Sequence, residues 1–233
     1  MIDQSARRHL AWAGTLLLLV LATPGSAREL ECGERPADAS RIAVAGGSLV
    51  EILYALEEQA RIIAADSTAT YPAAARELPQ IGYVRALSAE GLLSLEPTFL
   101  LGEHDMGPPE VVAQLARLDI DMLRVPETFS VAGIRDKIRC VAAAVGAPAR
   151  GERLAQSLLS GLAPDAVRAL RDKPERDTAP AGVVLLGLRS GAPIAAGADT
   201  SGNGLLSMAG VRNLMDFDGW KPVSTEAMAA ARP

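Results

Sequence analysis

Apolar positions along the chain follow two alternating periods. Short runs at Arg41-Ile42-Ala43-Val44-Ala45, Arg61-Ile62-Ile63-Ala64-Ala65, Thr98-Phe99-Leu100-Leu101 and Asp121-Met122-Leu123-Arg124-Val125 predict buried strands. Between them, apolar residues recur at helical spacing in Leu49–Glu57, Ser88–Leu95, Gly107–Leu118 and Val131–Val145. Prolines in the first turn open the third of these helices, and Gly146 with Pro148 ends the fourth. Ser48 with Glu51 predicts a capping box on the first helix. Asp66–Gly82 is a polar, proline-bearing loop region around a short helix. Strands alternating with helices at this spacing predict a parallel sheet covered on both faces.

The pattern changes after residue 148. One long helix is expected from Ala149 to about Arg171, with Gly161 and Pro164 marking a kink or break. A charged link follows, and Gly182-Val183-Val184-Leu185-Leu186 begins a second α/β segment. An internal echo relates the two parts. Leu87-Ser88-Ala89-Glu90 runs on to Pro97, and Val223-Ser224-Thr225-Glu226 runs on to Pro233. Each follows an aromatic, Gly82-Tyr83 in one copy and Gly219-Trp220 in the other. After Pro97 the first copy enters a strand, so the echo predicts a strand that a C-terminally truncated second lobe would lack. The expected plan is a leader at 1–27, a first lobe at 28–147, a connecting helix at 148–172 and an incomplete second lobe at 173–233.

The leader reads as a secretory signal. Arg7, Arg8 and His9 form its basic region, Ala13–Ala22 its apolar core, and Gly25-Ser26-Ala27 offers cleavage before Arg28. The apolar core is about half of what spans a bilayer. Cys32 follows Glu29-Leu30-Glu31 rather than small residues, which argues against a lipid anchor. Export to a bacterial periplasm follows, and that compartment permits a disulfide. Cys32 and Cys140 are the only candidates; two free buried thiols are the alternative.

Charge narrows the partners. The chain holds 23 Lys and Arg against 28 Asp and Glu, a net −5; without Asp3, Arg7 and Arg8 of the leader it is −6. No basic tail accompanies this balance, which argues against nucleic acid or an anionic membrane as the main partner. Two His and two Cys are too few for a Cys/His zinc cluster. Aromatics make up only 3%, so each is a candidate for a specific role.

Two α/β lobes joined by a single long helix, behind a signal peptide, resemble the periplasmic binding proteins of metal-chelate importers (the class III type). Several stretches are similar to the haem-uptake branch of that superfamily. They are Asp66-Ser67-Thr68-Ala69-Thr70-Tyr71-Pro72, Leu78 through Gly91 with Gly82-Tyr83-Val84-Arg85-Ala86-Leu87-Ser88, and Met106-Gly107-Pro108-Pro109. Ala196-Gly197-Ala198-Asp199-Thr200 and Gly219-Trp220-Lys221-Pro222-Val223-Ser224 continue the likeness. Members of the family normally extend beyond the last residue here.

The resemblance implies haem as the transported ligand, received in the cleft between the lobes and passed to the permease dimer of an ABC transporter. It implies a monomer, fed by an outer-membrane haem receptor system. Tyr71 matches the tyrosine that ligates ferric iron in the haem-uptake relatives; a phenolate is an anionic oxygen ligand suited to Fe(III). Read alone, Tyr71 is a loop tyrosine beside Pro72. Arg85 is a candidate cation for that phenolate or for a haem propionate, or a solvated arginine ahead of a helix. Tyr83 either lines the ligand face or packs half-buried. His104 and Met106 are further candidate haem ligands, near the carboxyl end of a predicted strand where open α/β sheets bind ligands. Glu90 and Glu226 match one glutamate per lobe that docks into arginine pockets on the permease. Alone, each is an acid favoured by a helix dipole.

Two other functions compete. A ferric siderophore or cobalamin would suit the same superfamily, and a ligand-free interaction module would keep the fold alone. An enzyme is disfavoured: no Gly-x-Ser-x-Gly elbow, Walker loop or Gly-x-Gly-x-x-Gly follows the first strand. Ser201 and Ser207 also lack a partner histidine in their own lobe.

Overall fold

The computed structural model describes residues 28–118, 120–161, 180–189 and 192–231. The leader and the expected helix beyond Gly161 lie outside the described residues. Among them, no helix is long and apolar enough to cross a membrane.

In chain order, the first part runs β1 (Glu29–Leu30), β2 (Ile42–Ala45), α1 (Gly47–Ala55), β3 (Ile62–Ala65), β4 (Gly82–Tyr83), β5 (Ala86–Leu87) and α2 (Ala89–Leu93). It continues with β6 (Phe99–Glu103), α3 (Pro109–Leu115), β7 (Asp121–Val125), α4 (Val131–Ala144) and α5 (Pro148–Gly161). Five strands pair in the order β1-β7-β6-β2-β3, all in parallel. Alternate residues of each strand enter opposite cores. Ile42, Val44, Phe99, Leu101, Leu123 and Val125 pack with α1 and α4. Ala43, Ala45, Leu100 and Met122 pack with Leu92 of α2 and Val112 and Leu115 of α3. That double burial is why these strands read as continuous apolar runs.

Two local features differ from the sequence pattern, and one left open by it is settled. The polar lead-in contains β1, which pairs with β7 and buries Leu30 to 3% exposure. Beside it Cys32 is bonded to Cys140 of α4, with Cα atoms 4.9 Å apart. The expected capping box is absent: Gly46 is the N-cap of α1, and no side chain caps it. Ser48 lies one residue inside the helix and donates to Glu103 Oε1 at 2.8 Å instead.

The later part contains β8 (Ala181–Gly182), β9 (Leu185–Arg189), β10 (Ala192–Ala196), α6 (Ser201–Met208), β11 (Arg212–Asn213), β12 (Trp220–Pro222) and α7 (Thr225–Ala231). The apolar run 182–186, expected to begin a second α/β segment, contributes to two separate strands. Gly182 pairs with β11 in parallel, whereas Leu185 onward forms an antiparallel hairpin with β10. β12 covers the other edge of β10. Leu185 and Leu186 stay 48% and 67% exposed, so apolarity alone did not define one buried strand there. The echo has a shared local structure. Gly82 and Gly219 both have positive φ, at 100° and 75°. The hydroxyl of Ser88 accepts from the Gly91 N–H at 3.0 Å, and that of Ser224 from the Ala227 N–H at 3.1 Å.

Candidate functional site

A cavity of about 740 Å³ opens where the carboxyl ends of β3, β6 and β7 face the start of α6 and β12. Its volume lies within the usual range for small-molecule sites. One wall is apolar, formed by Ile52 of α1, Ile134 and Ile138 of α4, and Leu154 and Leu158 of α5. Tyr71, His104 and Arg85 stand on loops of the first part; Asp199, Ser201 and Trp220 face them from the later part. The two parts also touch directly. The main chain of Phe129 lies against Gly204 of α6, where a Cβ would meet the Phe129 carbonyl oxygen at 2.7 Å.

Tyr71 is 66% exposed, which is unusual for a large aromatic and leaves its ring free to meet a ligand. Its loop is steadied by Arg76, whose Nε donates to the Thr70 carbonyl at 2.8 Å. Arg85 forms an ion pair with Asp105 and donates to the Tyr83 hydroxyl at 2.6 Å. Burial opposes its charge, but the Asp105 contact and the Tyr83 bond outweigh that and raise its pKa above the ordinary arginine value. The His104 ring meets Phe129 edge-on, with centroids 6.5 Å apart.

A polar strip crosses the same wall. Lys137 pairs with Glu127, at side-chain exposures of 9% and 12%, and its Nζ also reaches the Ser48 hydroxyl at 3.3 Å. The Ser48 hydroxyl in turn donates a hydrogen bond to Glu103. Both basic side chains of the cavity, Arg85 and Lys137, are therefore already paired to carboxylates. Among the described residues, no cluster of three or more His, Cys, Asp or Glu could hold a bare metal ion. The apolar wall suits a bulky, largely apolar ligand.

A family model for periplasmic binding proteins matches residues 42–233. The chain belongs to that family. No curated protein matches it. A periplasmic haem-binding protein from Pseudomonas aeruginosa superposes with a TM-score of 0.73 at 31% identity, over 83% of this chain and 69% of that one. The haem-binding protein RhuT from Roseiflexus sp. RS-1, in apo form, gives 0.71 at 34% identity, over 84% and 74%. The haem-binding protein BhuT, in complex with two haems, gives 0.71 at 36% identity, over 83% and 74%. The α/β architecture of class III binding proteins is thus the architecture of this binding protein.

The binding protein brings Tyr71, Arg85 and His104 to one cavity and leaves two other candidates outside it. Met106 is 3% exposed, and its sulfur fills the space left by the missing side chain of Gly102 in the second core. It therefore cannot present its thioether to the cleft, and its candidacy as a ligand is withdrawn. Tyr83 does not line the cavity; it is 42% exposed and holds Arg85 through its hydroxyl. Glu90 and Glu226 are exposed in the first turns of α2 and α7, away from the cavity. Sequence reasoning missed the Ser48, Glu103, Lys137 and Glu127 strip. One signal was available: Lys137 shares a helical face with Ile134, Ile138 and Val141, where a lysine needs a partner.

Proposed function

We propose that this binding protein carries haem through the periplasm and delivers it to the permease dimer of an ABC transporter. The carrying observation is Tyr71, two-thirds exposed at a cavity with an apolar wall, in a chain 31–36% identical to periplasmic haem-binding proteins. Its phenolate oxygen supplies the ligand for ferric iron, and Ile134, Ile138, Leu154 and Leu158 cover the porphyrin. A propionate that pairs with Arg85 has to displace Asp105, so we place the propionates toward solvent at the mouth of the cleft. The segment at 1–27 acts as the export signal, cleaved near Ala27, and the working state is a monomer. An outer-membrane haem receptor system is the upstream source.

Titration with hemin tests this reading. The expected spectrum is high-spin ferric with a tyrosinate charge-transfer band. Tyr71→Phe should abolish that band and weaken binding by at least about tenfold. Unchanged affinity and spectrum in the variant remove Tyr71 from the role. Cobalamin or a ferric siderophore that displaces hemin at equal concentration overturns the choice of ligand.

A further inference from the structure

Asp66 directly follows β3 and is 0% exposed, yet it does not line the cavity. Its Oδ1 accepts from the Gly46 backbone N–H at 2.8 Å and from the Thr68 hydroxyl at 2.9 Å. Its Oδ2 accepts from the backbone N–H of Thr68 at 3.1 Å and of Val84 at 3.0 Å. The Thr68 hydroxyl oxygen in turn accepts from the Gly47 N–H at 2.8 Å. A buried carboxylate is costly unless its lone pairs are met, and here each oxygen meets two donors.

The donors belong to three separate segments, and each leads to a cleft side chain. Thr68 is three residues before Tyr71. Val84 adjoins Arg85. Gly46 and Gly47 lead into α1, which carries Ser48. Gly46 has φ 145°, a conformation open to glycine that accompanies the turn of its N–H toward Asp66. One main-chain bond, from the Ser67 N–H to the Gly82 carbonyl at 2.8 Å, runs between the first two segments. The Gly47 N–H meets the Thr68 hydroxyl directly, and the Asp66 N–H donates to the Val44 carbonyl at 3.0 Å. The side-chain ties that reach Gly46 and Val84 pass through the Asp66 carboxylate.

We propose that Asp66 is the positioning residue of the ligand site: its carboxylate fixes the Tyr71 loop and the Arg85 turn relative to the end of β2. The inference deepens the haem-binding reading and rests on it. Asparagine cannot replace the carboxylate. It has one acceptor oxygen, so its amide nitrogen faces a backbone N–H, of Gly46 in one orientation and of Thr68 and Val84 in the other. An ionised acceptor also binds backbone N–H groups more strongly than a neutral one.

The test uses Asp66→Asn, Thr68→Val and Thr68→Ser in the full chain. Two measurements are made: amide hydrogen exchange without ligand, and hemin titration. In Asp66→Asn, exchange at residues 67–72 and 82–86 should rise while α4 stays protected. Hemin affinity should fall by about tenfold, on the scale of one or two lost hydrogen bonds, and the tyrosinate band should weaken. Thr68→Val should show the same pattern more mildly, and Thr68→Ser should match the wild type. If Asp66→Asn loses protection throughout, Thr68→Val against Thr68→Ser decides. Faster exchange with unchanged hemin affinity and band makes Asp66 a structural residue only and overturns the inference. Wild-type exchange in both variants overturns it as well. A wild type that takes up hemin without a tyrosinate band defeats the haem reading instead, and the exchange measurement then judges the tether alone.

Discussion

On the first wall of the cleft, Arg85 is held by Asp105, Lys137 by Glu127, and the Tyr71 loop by buried Asp66. The opposite wall carries Asp199, but the hydrogen bonds that hold this wall join neutral groups. The Thr200 hydroxyl donates to the Gly197 carbonyl at 2.7 Å and accepts from the Asn203 N–H at 3.1 Å. The Asn213 amide donates to the Ala196 carbonyl at 2.9 Å and to Asn203 Oδ1 at 3.1 Å. Among the described residues, 180–231 contain no ion pair, whereas the first part has nine. Charge-assisted bonds are stronger and more directional than neutral ones. The difference predicts that the wall carrying Tyr71 is held more firmly than the wall that faces it.

Removing the disulfide is the largest challenge to that contrast. It joins the segment after β1 to α4 across 108 residues, all in the first part. Loop-closure entropy for such a span is worth about 4–5 kcal/mol, an upper figure because strain and residual structure reduce it. The Cys32→Ser, Cys140→Ser double variant should therefore unfold at lower denaturant by far-UV circular dichroism. Trp220, in β12, is the one tryptophan among the described residues and reports the other wall. Its fluorescence transition should shift less. Superposed transitions from both probes would show one cooperative unit and erase the contrast.

The Lys137–Glu127 pair gives the next largest effect. Lys137→Met leaves Glu127 almost buried without its cation, at a cost of about 3 kcal/mol. Adding Glu127→Leu should recover most of the loss, because an apolar pair has no desolvation penalty. A denaturant series on the two single variants and the double measures the coupling. A single-variant cost below about 1 kcal/mol would mean that solvent in the cleft screens the pair, and that charge does not brace this wall.

Where the chain reads clearly, the reason is local. The strands of the parallel sheet lie wholly inside, so four apolar runs marked β2, β3, β6 and β7. Ser88 and Ser224 cap helices within three residues of themselves, so the echo was legible too. The failures come from longer reach. Gly46 and Gly47 give their N–H groups to Asp66 and Thr68, about twenty residues on, and this displaces the expected Ser48 cap. Met106 looked available beside His104, but the missing side chain of Gly102 opened a slot that draws its sulfur inward. The cavity itself was legible only in Tyr71, Arg85 and His104. Its polar strip joins β6, α1, α4 and the segment after β7, which no sequence window contains.

The smallest effect on folding belongs to the one feature in which the two parts agree. Glu90 and Glu226 each sit two residues after a capping serine, both exposed. Glu226 is held below the usual carboxylate range, first by its own backbone N–H and then by the Ser224 hydroxyl. A carboxyl depressed in the folded state stabilises at neutral pH, and that contribution fades as pH falls through the lowered value. Full exposure keeps the contribution small. If both residues serve only the helix dipole, Glu90→Lys and Glu226→Lys cost a little stability and nothing else. If they dock on the permease, stability and hemin binding hold while haem transfer into permease-bearing vesicles falls. The double reversal should then transfer more slowly than either single, because two tethered contacts act as a bivalent clamp. Wild-type transfer by all three variants would assign the shared Ser-x-Glu geometry to helix capping alone. A loss confined to one variant would show that the two walls differ at the permease as they differ inside the cleft.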